Sequence, residues 1–504
     1  MNRSKRAGVR LGAVVVFLLS SVPLFSQDTP IGPEKTQLAT QETPAAATNS
    51  DALPQSGASG DSLNYQQALQ RGTQAVIWGM SAVSMVALRK SAQRDLGATT
   101  NDVIYLSKPM VSRHGFLTAN NQVQYVFVLL NTTDGPVILE VPPASPHTIF
   151  FGTLIDAWQV PVVDIGPEGE DKGKGGKYLF LPPGYNKPVP TGYLVERPKT
   201  YNLYLCLRPV AVKGGTLAEG VEYTKQLKAY PLSQAGKPTP NRYIDAFPKT
   251  WNTLVSFDKS FFEDLATAVN EEPVQEKDLV MMGMLPTIGI QKGQPFKPDA
   301  DAARALEPAV KLAYEMMMQY FVTPGDALVP FWPDRKWTGP NVSKQQAEEG
   351  FPFVTKDELL LDARAGGLYF WATWAPKHLG KGSFYLMGLR DSSGTLFDGS
   401  SLYRLHVPKE VPARQFWSAI VYSRKTAGFI SNAERVGISS YDKADLKVNS
   451  DSTIDLYFGP KAPTGMESNW LPTGEDFFLI FRLYGPEKAL FEKTWTLEDV
   501  EIVK

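Results

Sequence analysis

The sequence predicts a mainly β (α+β) protein: an N-terminal β-rich domain, a helical middle segment and a C-terminal jelly-roll-like β-sandwich. Three observations carry this. Short runs that alternate with period two, separated by turn residues, fill 101–210 and 358–504. Apolar residues at helical spacing fill most of 214–320. Aromatics at 11% together with 39 prolines suit strands joined by many turns. At 504 residues the chain exceeds what one hydrophobic core serves, so several domains are expected.

Residues 1–26 read as a secretory signal peptide. Arg3, Lys5, Arg6 and Arg10 form a positive leader, Leu11 to Leu19 an apolar stretch, and Ser26 a small residue suited to cleavage. That stretch falls short of the roughly 20 residues that span a bilayer. The mature protein is therefore expected to be exported, periplasmic or secreted, with no membrane span after cleavage. Residues 27–61 are rich in Pro, Thr, Ala, Ser and Gly and cannot bury enough surface to offset ordering entropy, which predicts a disordered tether.

The N-terminal domain is expected over 62–255. Ser62 is a helix cap, and Leu69, Val76, Met80, Val83 and Ala87 form the packing stripe of a helix reaching about Ala92. Strands follow at Val103–Leu106, Val123–Leu130, Val137–Val141, Thr148–Val160, Tyr178–Leu181 and Tyr201–Val210. In the last, Tyr201, Leu203, Leu205 and Leu207 point one way and Asn202, Tyr204, Cys206 and Arg208 the other, the pattern of a half-buried strand. The helical connecting segment, taken over 256–357, follows a helix expected at Gly220–Ala229. It includes helices at Lys259–Asn270, Gln275–Met284 and Asp299–Tyr320, where Pro308 predicts a kink or a late start. In the C-terminal domain, 358–504, strands are expected at Phe384–Arg390, Leu402–Val407, Phe416–Tyr422, Ile454–Phe458 and Phe477–Tyr484. The last sets Phe477, Leu479, Phe481 and Leu483 against Phe478, Ile480, Arg482 and Tyr484. A short helix at Pro486–Lys493 covers an edge.

Net charge is −1, and residues 1–26 hold four positive and no negative charges, so the remainder carries −5. That disfavours nucleic acid as partner, because phosphate neutralisation needs clustered Lys and Arg. The single cysteine, Cys206, sits in an apolar run where an inert thiol is the common case. His114, His147, His378 and His406 show no metal-ligand spacing, so neither a metal nor an organic cofactor is expected. The glycine- and lysine-rich loop Gly166–Lys177 lacks the Lys-Ser/Thr and following helix of a P-loop. It reads as a structural turn or, in competition, as a backbone anion nest.

Several long motifs occur in order. They include Asp156-Ala157-Trp158-Gln159-Val160, Leu181-Pro182-Pro183-Gly184-Tyr185, Gly289-Ile290-Gln291-Lys292-Gly293, Gly459-Pro460-Lys461-Ala462-Pro463 and Glu467-Ser468-Asn469-Trp470. With these the chain resembles bacterial proteins pairing two families of unknown function, numbered 1254 (N-terminal) and 1214 (C-terminal). The resemblance implies a β-rich two-domain build and no particular activity. Pro308 departs from the uninterrupted helix of that pattern.

The candidate ligand-binding residues are Arg404, Glu467, Asn469, Trp470 and Arg482 in the C-terminal domain, and Asp156, Trp158 and Tyr185 in the N-terminal domain. Arg404 and Arg482 occupy polar positions of otherwise apolar strands, and a buried guanidinium needs a partner, for which Glu467 or Asp455 is available. Beside Trp470 and Trp417 such a patch suits a small, partly apolar ligand. An exported binding or interaction module, with self-association through the same surfaces as another use, is the first reading. A hydrolase or isomerase using Glu467 and Asp156 as acid and base is the alternative.

Overall fold

The computed structural model describes residues 62–324, 328–340, 353–371, 373–378 and 382–503. The expected signal peptide and tether lie outside them. The fold is α+β and rich in sheet, with a helical middle segment and a sheet-rich C-terminal part.

Each half of the molecule contains a two-sheet sandwich. In the N-terminal half a six-stranded sheet runs in the order Tyr243–Asp245, Val103–Tyr105, Val126–Asn131, Asn202–Ala211, Thr148–Asp156, Pro161–Ile165. It faces a four-stranded sheet across a core that includes Val128, Leu139, Phe180 and Leu205. In the C-terminal half a second six-stranded sheet runs Leu328–Pro330, Thr338–Pro340, Ser383–Gly388, Phe477–Pro486, Ala413–Ser423, Gly437–Ser439. Its four-stranded partner sheet closes over Leu405, Leu456, Phe481 and Leu497.

The largest core lies between the two six-stranded sheets and is filled by helices. The helix Leu63–Leu96 starts where Ser62 accepts a hydrogen bond from the Tyr65 amide at 3.1 Å, and it ends at Gly97 in the left-handed region. Val76, Met80 and Val83 are buried as the spacing predicts. Gly79 lets the helix Ser260–Glu271 approach closely, since a Cβ there would lie 2.5 Å from Leu265 Cδ1. The helix Ala300–Val322 starts at its Asp299 cap and includes Pro308, so the late start expected from that proline does not occur. The segment Gly220–Ala229 also departs from expectation. Its helix is Leu217–Thr224, and Lys228–Pro231 is a strand that pairs with Val137–Val141.

Because both six-stranded sheets turn their second face to this shared core, their central strands are buried on both sides. Leu203, Leu205 and Leu207 enter the N-terminal sandwich while Tyr204 and Cys206 enter the shared core. Leu479, Phe481 and Leu483 enter the C-terminal sandwich while Phe478, Ile480 and Tyr484 enter the shared core. The expected polar, solvent-facing side of Tyr201–Val210 is thus an internal surface.

Candidate functional site

A cavity of about 610 Å³ opens where these second faces meet. Phe127, Phe151, Thr153, Cys206 and Arg208 line it from the N-terminal sheet, and Tyr385, Met387, Ile480 and Tyr484 from the C-terminal sheet. Tyr320, Ala363, Trp371 and Trp374 of the connecting segments complete the wall. The lining is mostly aromatic and aliphatic, so polar groups that reach it stand out.

One group of them is built on Arg208, which lines the cavity, together with Arg482, which does not. Arg208 and Arg482 hold matching places, each on the second face of the fourth strand of its six-stranded sheet. Arg482 is 1% exposed. It donates from Nη1 to the Tyr422 hydroxyl and from Nη2 to the Thr118 carbonyl, both at 2.6 Å. It also lies over the Tyr385 ring, its cross-strand partner, with 4.7 Å to the centroid. Arg208 lies 5.1 Å from the centroid of Tyr125. Among the described residues neither arginine forms an ion pair with a carboxylate; the groups that act on them most are tyrosine hydroxyls and, for Arg208, also the Cys206 thiol. The Nε of each is buried without a hydrogen-bond partner.

The segment between Phe116 and Tyr125 ties this group together across the two halves. Asn120 donates from Nδ2 to the Tyr484 hydroxyl at 2.7 Å, and its amide donates to the Tyr125 hydroxyl at 2.9 Å. Tyr422 donates to the Ala119 carbonyl. Thr118 sits at φ +43°, an unfavourable place for a β-branched residue. Its amide is fixed by Ala427 O at 2.7 Å and its carbonyl by Arg482. Strain of this kind persists only where surrounding contacts over-determine it.

Electrostatics follow from that geometry. Burial pushes a phenol upward, but at Tyr385 the nearby Arg208 and Arg482 guanidiniums outweigh it and draw the hydroxyl down to about 8. Its neighbour Tyr484 is pushed up, by burial first and then by Tyr385 itself. Burial also raises the Cys206 thiol to about 11, which leaves it a poor nucleophile although it borders the cavity.

The second polar group is the pair Asp164 and His378. The Asp164 carboxylate accepts from Thr153 Oγ1 at 2.8 Å and from the amides of Lys377 and His378 at 2.9 Å each. It also lies 3.0 Å from His378 Nδ1. The imidazole is thereby oriented through one nitrogen, and both side chains line the cavity.

The residues singled out from sequence are dispersed. Arg482 joins the arginine–tyrosine group. Arg404 is exposed and pairs with Glu501 at 3.0 Å. The Glu467 carboxylate accepts from the Gly465 amide at 2.9 Å in an exposed turn. Asn469 is buried and saturated by Lys447 and the Asp455 carbonyl, and Trp470 Nε1 donates to Gly459 O at 3.0 Å. The pairing of Arg482 with Glu467 or Asp455 does not occur. Those two belong to the four-stranded side of the sandwich, whereas Arg482 points from the other sheet into the shared core, and Asp455 engages His406 Nδ1 at 2.7 Å. Asp156 accepts the Trp158 and Val160 amides at 2.8 and 2.9 Å in a strand-to-strand turn. Trp158 packs on Trp78 and lies 5.3 Å from the Arg364 guanidinium. Tyr185 packs with Leu181 and Tyr230 in a small separate cluster.

The glycine-rich loop resolves as a turn, not a nest: the amides of Gly166 and Gly175 already donate to the Asp171 carboxylate, at 2.8 and 3.1 Å. The residues that sequence reasoning passed over are Arg208, Tyr125, Tyr385, Tyr484, Asp164 and His378. A usable signal existed for Arg208: two strands of similar alternation each place one arginine on a second face that, Asn202 apart, is apolar or aromatic. Among the described residues no group of three or more His, Cys, Asp or Glu side chains is placed to hold a metal ion, and no helix is long and apolar enough to cross a membrane.

Comparison with known proteins agrees with the two-part build. Residues 100–231 match the model of a protein family of unknown function, DUF1254, and residues 382–488 match that of a second, DUF1214. No curated protein matches the chain. The VPA0106 protein of Vibrio parahaemolyticus has a solved structure similar to 87% of this chain and to 100% of its own, with a TM-score of 0.52 and 18% identity, and it shares the fold. A solved structure of an uncharacterised protein from Burkholderia cenocepacia aligns over 88% of this chain and 96% of its own at a TM-score of 0.37 and 12% identity.

Proposed function

We propose that this chain, which pairs a DUF1254 region with a DUF1214 region in N- to C-terminal order, binds one small, largely apolar molecule in the cavity between its two halves. The observation that carries the reading is the cavity itself. Its volume of about 610 Å³ falls in the range of small-molecule sites, roughly 300–1,000 Å³. Its walls are aromatic and aliphatic, with a few polar groups to orient what enters. With the export expected from residues 1–26, the ligand is met outside the cytoplasm.

A second reading, a hydrolase or isomerase, is favoured by the Asp164–His378 pair. A histidine held through Nδ1 by a carboxylate and facing a cavity is built to take or give a proton at Nε2. Glu467 and Asp156, the acid–base candidates from sequence, do not line the cavity. Recovery of a bound compound unchanged supports binding, whereas its conversion supports the enzyme.

The test is calorimetric titration of the protein with 1-decanol, beside the variant Ala363→Trp, whose indole intrudes into the cavity from its wall. Saturable binding to the parent protein and its loss in the folded variant are expected. Equal binding to both places the ligand elsewhere and contradicts the reading.

A further inference from the structure

We propose that the end of the cavity bounded by Arg208, Tyr385 and Tyr484 receives an anionic head group, so that the ligand is an amphipathic carboxylic acid whose tail lies along the apolar walls. The assignment rests on the cavity reading above and adds the class of molecule.

Four features lead there. First, two guanidiniums share one enclosed group of side chains, and both remain protonated because arginine does not deprotonate in proteins. Arg482 is buried and Arg208 partly buried, and cations in such places are normally paired, yet among the described residues neither has a carboxylate partner. Second, donors are left over. Nε of Arg208 has no partner, whereas Arg482, which does not line the cavity, has placed its two Nη groups on Tyr422 and Thr118. Third, Arg208 borders the cavity and lies against the face of Tyr125, and among the described residues its guanidinium has no hydrogen-bond partner, so it can meet a carboxylate. Fourth, Tyr385 and Tyr484 also line the cavity with their side chains hydrogen-bonded to one another, so the pair adds one phenol proton that can be donated to an anion.

The acidic residues of the wall do not cancel this. Asp164 and Glu168 belong to the edge strand Pro161–Ile165 and the loop after it. Arg208 sits two strands away, about 10 Å at the usual strand spacing, since its cross-strand neighbour is Phe151 of the intervening strand. Asp164 is moreover occupied by Thr153, Lys377 and His378. Arg208 and the Asp164–His378 pair therefore occupy separate places on the wall, with Arg208 and Asp164 two strands apart on the N-terminal sheet. Phe151, Met387, Ile480 and Trp371 supply apolar wall in the same cavity.

Calorimetry with decanoate and 1-decanol at neutral pH separates the assignment from the reading it rests on. The two probes share a chain and differ in the head group. A charge-assisted arginine–carboxylate contact in an enclosed site predicts that decanoate binds roughly tenfold or more tightly than decanol. Arg208→Met is expected to remove that preference while decanol still binds. Arg208→Lys and Tyr385→Phe, milder changes that test the same end if the methionine variant does not fold, should each reduce the preference several-fold. Equal affinity of the parent protein for the two probes overturns the anion assignment and leaves the cavity reading standing, as does a full preference retained without Arg208. Binding of neither probe overturns both.

Discussion

Asp156→Asn is predicted to make the protein more stable at alkaline pH and slightly less stable in acid. Asp156 is 5% exposed and ends the strand Thr148–Asp156, where its Oδ1 accepts two backbone amides of the turn. Burial raises its pKa from 3.8 to about 6, against the opposing pull of the Val160 and Trp158 amides and of Lys277 and Arg364. The folded pKa lies above the unfolded one, so the folded state favours the neutral acid. The resulting stability is fully present below about pH 3.8, falls as pH rises towards 6, and is lost above that. At about 1.36 kcal/mol per pH unit the whole effect is about 3 kcal/mol. Asparagine keeps the accepting oxygen and removes the charge. Its amide must find an acceptor in place of Oδ2, which offsets on the order of 1 kcal/mol. A net gain of about 2 kcal/mol at pH 8, and a small loss of about 0.5 kcal/mol at pH 4, is therefore expected in urea denaturation at the two pH values. A variant less stable than the parent at pH 8, or a difference of equal size at both, refutes the reasoning and would point to a function for the ionised carboxylate.

Two further outcomes follow from the cavity. Ultraviolet titration of the free protein should show one tyrosine ionising near pH 8; Tyr385→Phe removes this step and Arg208→Met moves it upward, because the guanidiniums hold the phenolate against the cost of burial. Gly152→Ala should cost about 3 kcal/mol or more in thermal or chemical denaturation, since its Cβ would lie 2.0 Å from the Cys206 carbonyl oxygen and 2.8 Å from Leu207 Cα in the neighbouring strand, where only backbone can yield.

Much of the architecture was legible because it is written in local patterns. The alternation of Tyr201–Val210 and Phe477–Tyr484, the Ser62 cap and the stripe Val76, Met80, Val83 each report short-range geometry, and the strand Val137–Val141 has the bounds its sequence predicts. What alternation cannot tell is what covers a strand's second face. A strand with one arginine on that face looks solvent-exposed, and in both cases the covering element comes from sequence far away. The site was hidden for the same reason. Asn469 and Trp470 looked available but are satisfied by neighbours within about 25 residues of chain, whereas Arg482 is met by Thr118, 364 residues earlier. Arg208, Tyr125 and Tyr385 acquire meaning only once the two sheets face one another.

Carbon NMR of carboxyl-labelled decanoate bound to the protein tests the central claim most directly. A head group held at Arg208 is predicted to stay ionised well below the pH at which free decanoate takes up a proton, and to lose that protection in Arg208→Met. A bound carboxyl that titrates as it does in water would place the head group outside the arginine–tyrosine end and contradict the account.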